Sequence, residues 1–308
     1  MTYPRHWEHT EILSQIDYKK FLDHAVPVKA SVALLPNTAV YVLTDDLLSR
    51  KLEAIYDPDL KAIRPLQHNG SSSNRDLRLY EDAINNPAIT VLAVDGLMGT
   101  GKTSSVIRHI VDSRLHEVKV PKNTDWSGWK PDTIHHKVLI SKPHVNAGGN
   151  TETYGHLPGD INEKLDPTLN NFIQYFNRWH QAGFEALRGA GYIEVLPLGF
   201  IRGMDAENMD IIVDEAQNTR ELITVVTRKA NNSRVYLIGD TSPFQIDLPG
   251  NTPTKNGLTQ IIDLLIGAPY FQYVEMKTVE HVVRSEETRD IVRRLFKKYG
   301  SNTHEWEV

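Results

Sequence analysis

The sequence predicts an α/β protein: a parallel sheet covered by helices on both faces, with a small α+β appendage at its N-terminal end. Three observations lead there. From about residue 73 onward, short apolar runs alternate with stretches of helical periodicity, the pattern of a sheet buried on both sides. One of those runs opens onto a glycine-rich loop followed by a helix, and another ends in two adjacent carboxylates.

Composition narrows the classes. Of 308 residues, 40% are hydrophobic, enough for a sizeable core in one large domain or a core with an appendage. No apolar stretch approaches the ~20 residues of a membrane span. The N-terminus, MTYPRHWEHTE, lacks the apolar region of a secretory signal. The absence of cysteine excludes disulfides, thiolate catalysis and cysteine-ligated zinc, and a cytoplasmic protein with no membrane partner is expected. A net charge of −5 argues against strong nonspecific nucleic-acid binding, which needs a basic excess, but leaves a local basic patch open.

Residues 1–70 are expected to form an accessory segment. Thr10 would cap a helix reaching His24, with Leu13, Ile16 and Phe21 at helical spacing. Thr38–Leu43 reads as a strand, and Asp45–Tyr56 as a helix with Leu48, Leu52 and Ile55 on one side. Arg64–Arg75 (RPLQHNGSSSNR) has the composition of a linker, leaving residues 71–308 as the second domain. There, Asp76–Asn85 reads as a helix, Ile89–Asp95 as a buried strand and Lys102–Leu115 as a helix. Further buried strands are expected at Lys137–Ser141, Ile193–Leu196, Met209–Asp214, Arg234–Gly239 and Phe271–Glu275. Leu169, Phe172, Ile173, Phe176, Trp179, Phe184 and Leu187 recur with the period of one amphipathic helix, whose aromatics belong in the core before they belong on bases.

The glycine loop reads Gly96-Leu97-Met98-Gly99-Thr100-Gly101-Lys102-Thr103, followed by Ser104, and fits the G-x-x-x-x-G-K-[ST] pattern in full. Glycines let the backbone curl until several N–H groups face one concavity, a nest for phosphate oxygens. The following helix adds the positive end of its dipole. Lys102 would reach the β- and γ-phosphates and the Thr103 hydroxyl would take one Mg²⁺ position, so the expected ligands are ATP and Mg²⁺. A chance glycine turn matches such letters without the strand before and the helix after.

Met209–Gln217 (MDIIVDEAQ) is an apolar strand ending in acids. Asp214 is the second candidate for Mg²⁺, through water, and Glu215 can orient the attacking water. An Asp-Glu pair after a strand is commonly a helix cap. Here it follows the glycine loop by about the length of one nucleotide-binding core, with KVLIS and IEVL between. The two motif strands are therefore not expected to be neighbours, as in RecA- and helicase-type cores and unlike kinases or small GTPases. The next strand ends in Gly239-Asp240 and leads through Thr241 to Gln245, a candidate sensor of the γ-phosphate.

With these residues in place, the chain resembles the PhoH-like family of P-loop ATPases, related to the core of superfamily-one helicases. The resemblance is carried by the glycine loop, Leu157–Pro167 (LPGDINEKLDP), Ile193–Pro197, Ile201–Gly203 and Asp214–Asn218 (DEAQN). Gly239-Asp240, Gln245–Pro249, Asn256–Leu258 and His281–Arg284 complete it, spanning roughly residues 73 to 296. It implies a RecA-like P-loop NTPase core, ATP hydrolysis, a ring-shaped homo-oligomer such as a hexamer, and action on RNA or single-stranded DNA. A nucleotide-regulated assembly switch is the alternative. Three departures stand out. Leu77 occupies the position of the family's adenine-reading glutamine, Arg202-Gly-Met-Asp205 replaces an RGRT-like stretch, and the segment from Asp240 to Gln245 is about two residues longer. The first 70 residues match neither the KH-like nor the PIN nuclease modules of the family, so nuclease activity is not expected.

One core is expected to fill the chain from about residue 73. An arginine that completes the transition state would then come from the same core or from a neighbouring subunit. Arg284 is the first candidate and Arg202 the second. Other signals are weaker. His6 with His9, and His135 with His136, lack the partners of a metal site. Arg293, Arg294, Lys297 and Lys298 could meet a phosphate backbone but read first as a solvated helix face, and Trp126 and Trp129, in a polar loop, fit an interaction tip or simple packing.

Overall fold

Two sheets organise the chain. The computed structural model describes residues 6–44, 50–68, 74–115, 118–120, 129, 136–143 and 169–299. They fall into two units, Met1–Thr90 with Ile262–Val274, and Val91–Ile261 with Glu275–Val308.

The first unit holds a four-stranded sheet in the order β1-β2-β3-β4. Its strands are β1 (Thr10–Leu13), β2 (Ala39–Thr44), β3 (Leu52–Asp57) and β4 (Ala62–Pro65). Helix α1 (Gln15–His24) begins at Ser14, whose hydroxyl accepts the Asp17 N–H. This corrects the expected helix from Thr10. The apparent period through Leu13 and Ile16 crosses a strand–helix junction, and Ile12 and Ile16 are exposed, so it did not mark a core face. The helix expected over Asp45–Tyr56 is corrected too. Residues 45–49 lie outside the described residues, and Leu52–Asp57 pairs antiparallel with β2, Val42 opposite Leu52. The ladder and the burial of Ala54 and Ile55 override a helical spacing that three apolar residues supplied. The linker candidate starts inside the sheet. Arg64 is buried in β4, 2.8 Å from Asp57 and 2.7 Å from Asp82 of α2 (Arg75–Asn85). Phe21, Val40, Val42, Ala54 and Ile63 form the core of this unit.

The second sheet has the order β10-β5-β9-β8-β6-β7. Its strands are β5 (Val91–Gly96), β6 (Lys137–Ser141), β7 (Ile193–Val195), β8 (Met209–Val213), β9 (Arg234–Gly239) and β10 (Phe271–Met276). The pairings β5–β9, β9–β8, β8–β6 and β6–β7 are parallel. Every residue of β5 and β8 is buried, as apolar runs covered on both faces require. β9 lies between them, so the strands bearing the two motifs are not neighbours, as the sequence predicts. The helices are α3 (Lys102–Ile110), α4 (Asn170–Trp179), α5 (Gly183–Gly189), α6 (Leu222–Arg228), α7 (Gly257–Leu265) and α8 (Glu286–Tyr299).

Two helical expectations change in detail. The helix from Lys102 stops at Ile110 and continues to Leu115 as one wider π turn. The single amphipathic helix over 169–187 is two, α4 and α5. Ala182 turns the chain through a left-handed conformation, and a Cβ on Gly183 would sit 2.9 Å from the Phe176 carbonyl and the Trp179 ring. Phe172, Phe176 and Phe184 are buried, so those aromatics form core. Among the described residues, no helix is long and apolar enough to cross a membrane.

Candidate nucleotide site

The glycine loop leaves β5 at Gly96 and enters α3 at Lys102. Gly99 and Gly101 have φ of 79° and 90°, the left-handed region that side chains resist. Gly96 is needed for a different reason: a Cβ there would lie 2.8 Å from the Met276 Cβ. The loop is tied down by Leu97 N–H donating to Met276 O at 3.0 Å and by the Thr100 hydroxyl donating to Leu97 O at 2.8 Å. Leu97 is buried with Val279, Val282, Val292 and Phe296, and Met98 packs on the same cluster. Leu97 therefore faces the core and offers a phosphate only its backbone. The Ser104 hydroxyl donates to Gly101 O at 2.9 Å. Lys102 Nζ donates to the carbonyls of Gly96 and Leu97.

The acid pair sits at the end of β8. The Asp214 N–H donates to Ser141 O at 3.0 Å, and its carboxylate is 2.9 Å from the Lys142 ammonium. Lys142, directly after β6, is a site residue that the motifs did not reveal; a lysine ending a buried strand was the available signal. Glu215 has φ of 55° and is part-buried. Burial and then the adjacent Asp214 charge push its carboxyl above the usual carboxylate range, opposed by Gln217, Lys142 and Lys102.

Gln217 and Asn218, the last two residues of DEAQN, hold the next loop. Gln217 Nε2 donates to Glu215 Oε2 at 2.8 Å and to Gln245 O at 3.1 Å, while its Oε1 accepts the Asp240 N–H at 3.1 Å. Asn218 Nδ2 donates to Gln245 O at 3.1 Å, and Oδ1 accepts the Asp247 N–H at 2.8 Å. Asp240 is buried, and burial raises its pKa, with Lys102 and Ser242 opposing. The Ser242 hydroxyl and N–H both reach Asp240 Oδ1, at 2.6 and 3.0 Å. Gln245 closes a 3₁₀ turn in this loop. Next to it, Phe244 packs edge-on against Phe296, with centroids 5.1 Å apart.

The two arginine candidates separate. Arg284 lies over the glycine loop: a Cβ on Gly99 would be 3.0 Å from its Cγ and Cδ, and the Val283 N–H donates to Gly99 O at 3.0 Å. Arg202 is exposed in a 3₁₀ turn after β7 and paired with Glu221 at 2.8 Å.

The weaker signals resolve simply. Among the described residues no cluster of histidines and carboxylates suits a metal. His6 bonds Tyr273 O at 2.6 Å and His9 bonds Glu11 at 3.0 Å; His135 lies outside the described residues. Arg293 and Arg294 pair with Glu280 and Asp290 on the α8 surface. The Leu157–Pro167 motif and Trp126 lie outside the described residues.

A glycine loop at the end of one parallel strand and an acid pair at the end of the next strand but one define a RecA-like P-loop α/β core. The chain belongs to the PhoH-like protein family, which matches residues 130–296. It is 32% identical to a PhoH-like protein of Mycobacterium bovis over 272 residues, covering 86% of this chain and 66% of that protein. A PhoH-like protein of Bacillus subtilis is 34% identical over 149 residues, 47% of this chain and 44% of the relative. Protein PhoH2 of the same organism is 37% identical over 143 residues, 44% of this chain and 31% of the relative. The match thus spans about two thirds of the mycobacterial relative's length. Among solved structures, the Legionella pneumophila ATPase DotB aligns over 94% of this chain and 74% of its own at 13% identity. The TM-score of this alignment is 0.27.

Proposed function

We propose that this chain binds Mg²⁺-ATP and hydrolyses it. The observation that carries the reading is convergence: Gln217 joins Glu215 to the Asp240 N–H and the Gln245 carbonyl, and Asp95, directly before the glycine loop, holds Thr241 of that same loop. The donor set suits Mg²⁺, since a threonine hydroxyl and a carboxylate are hard oxygen ligands. Thr103 and Asp214 would hold the ion, with Asp214 released from Lys142. When bound, Mg²⁺ would neutralise charge on the β- and γ-phosphate oxygens.

The residues divide the remaining work. Amides from Gly96 to Ser104 cradle phosphate, and Lys102 swings from its loop carbonyls onto the β- and γ-oxygens. Glu215 accepts a hydrogen bond from the attacking water and aligns it. Gln245 senses the outer phosphate through a loop that Gln217 and Asn218 couple to Glu215. Arg284, resting on Gly99 in the same core, supplies positive charge to the transition state; Arg202 would serve only from a neighbouring subunit. Residues 1–70 act as an accessory segment to the catalytic domain 71–308. Hydrolysis drives remodelling of RNA or single-stranded DNA by a ring of subunits in the cytoplasm.

Turnover of ATP with and without single-stranded RNA or DNA tests the reading. Stimulation that vanishes in Glu215→Gln is the expected result. ATP-dependent assembly with no response to nucleic acid would replace the motor with an assembly switch.

A further inference from the structure

A carboxylate that the phosphate motif does not require sits directly before the glycine loop. Asp95, in β5, is almost fully buried. A buried ion needs donors around it, and three converge. Thr241 donates its backbone N–H at 2.9 Å and its hydroxyl at 2.6 Å, and the Lys277 ammonium lies 2.9 Å away. Lys277 follows β10 and also meets Glu275 at 3.1 Å. Burial by itself would lower the Lys277 pKa, but the two carboxylates outweigh it and raise it.

The partners explain what the carboxylate does. Thr241 opens the loop that runs from Asp240 through Gln245 to Pro249. Cα pairing between β5 and β9 ends with Asp95 opposite Gly239. The Asp95–Thr241 bonds therefore begin where the backbone ladder stops. Further along, the same loop is gripped by Gln217 and Asn218 at Gln245 and Asp247. Held only there, the loop could swing with the acid-strand turn. Held at both places, it has one position relative to the glycine loop.

We propose that Asp95 is a positioning residue: with Lys277 as its counter-ion, its carboxylate fastens the Asp240–Pro249 loop to the phosphate-binding strand. Gln245 and Asp240 then meet the outer phosphate in a fixed place. The catalytic consequence rests on the ATPase reading above; the fastening does not.

Two substitutions at Thr241 test it in the full chain without disturbing the ion pair. Thr241→Val keeps shape and the N–H bond but removes the hydroxyl donor, and Thr241→Ser restores that donor. Amide hydrogen exchange over residues 240–249 is measured beside nucleotide turnover and thermal melting. In Thr241→Val, loop exchange is expected to quicken about tenfold. Its kcat should fall about tenfold with KM within about twofold, and Thr241→Ser should match wild type on both counts. Unchanged loop exchange in a Thr241→Val protein that melts like wild type overturns the proposal. A rise in KM at constant kcat overturns it as well. If the wild-type chain hydrolyses no nucleotide, the ATPase reading fails, and the exchange comparison alone decides the fastening.

Discussion

The glycine loop and the loop after β9 flank the candidate nucleotide site but hold their shapes by different means. The first is set by backbone: two glycines in left-handed conformation, a third pressed against Met276, and one N–H anchored on β10. The second is set by side chains. Asp95, Gln217 and Asn218 reach it from other elements, and its own Asp240 turns back on Ser242. A loop of the first kind depends on what its own residues lack; one of the second kind depends on distant partners. The first should therefore be most sensitive to substitution of its own residues, and the second to substitution of its partners.

The largest test sets the two sides directly against each other. Lys102→Ala should remove nucleotide binding together with turnover, whereas Glu215→Gln should keep binding and lose about three orders of magnitude in kcat. Fluorescent-nucleotide titration beside steady-state kinetics separates the outcomes; equal loss of binding in both would erase the division of labour. Next in size is Arg284→Ala. Binding should persist while kcat falls about a hundredfold or more, and near-normal hydrolysis would remove Arg284 from the site.

Gln217→Leu probes the side-chain half at its busiest residue. It deletes two donors and leaves the buried Asp240 N–H without its acceptor. A loss of about 2 kcal/mol in denaturant unfolding is expected, with turnover reduced while nucleotide affinity holds. A full loss of affinity would show that the two loops are not separately supported.

A last test, read through pH, concerns the far end of the glycine loop's own helix. Arg114, in the π turn after α3, is 3.0 Å from the buried Asp210 of β8. Burial pushes Asp210 up to about 6, opposed by Arg114 and Arg234. Burial, followed by the same two arginines, pushes His109 of α3 down to about 4. Between pH 4 and 6 the folded chain keeps the Asp210 proton that the unfolded chain loses, so this group weakens stability as pH rises. The unfolded chain meanwhile keeps a His109 proton that the folded chain lacks, and this group strengthens stability as pH rises. These two contributions oppose each other and largely cancel across the window. Relative to wild type, His109→Gln should lose stability with rising pH and Asp210→Asn should gain it, each by up to about 1.4 kcal/mol per pH unit. Slopes of the same sign in both variants would break the account.

What the sequence made legible follows the same division. Apolar runs located the strands of the large sheet, because strands buried on both faces show no polar alternation to confuse them. The glycine loop could be read letter by letter, since its requirements are local. The first unit was harder. Leu13 and Ile16 mimic a helix across the Ser14 cap, and Leu52 and Ile55 belong to a strand whose partner lies ten or more residues upstream. Asp95, Thr241, Lys277 and the roles of Gln217 and Asn218 were invisible for a physical reason. Each matters through a partner that only the folded sheet brings within 3 Å or so.

Glu215 has a consequence of another sort. Its backbone sits at φ 55°, where a residue with a Cβ loses roughly 1 kcal/mol relative to ordinary helical geometry. Its carboxyl is also buried beside the Asp214 charge. Asparagine or glycine would suit that turn better than glutamate does. If Glu215 aligns the attacking water as proposed, replacing it would relieve backbone strain while ending turnover. A lineage released from the need to split nucleotides would then drift away from glutamate here and grow more stable as it did so.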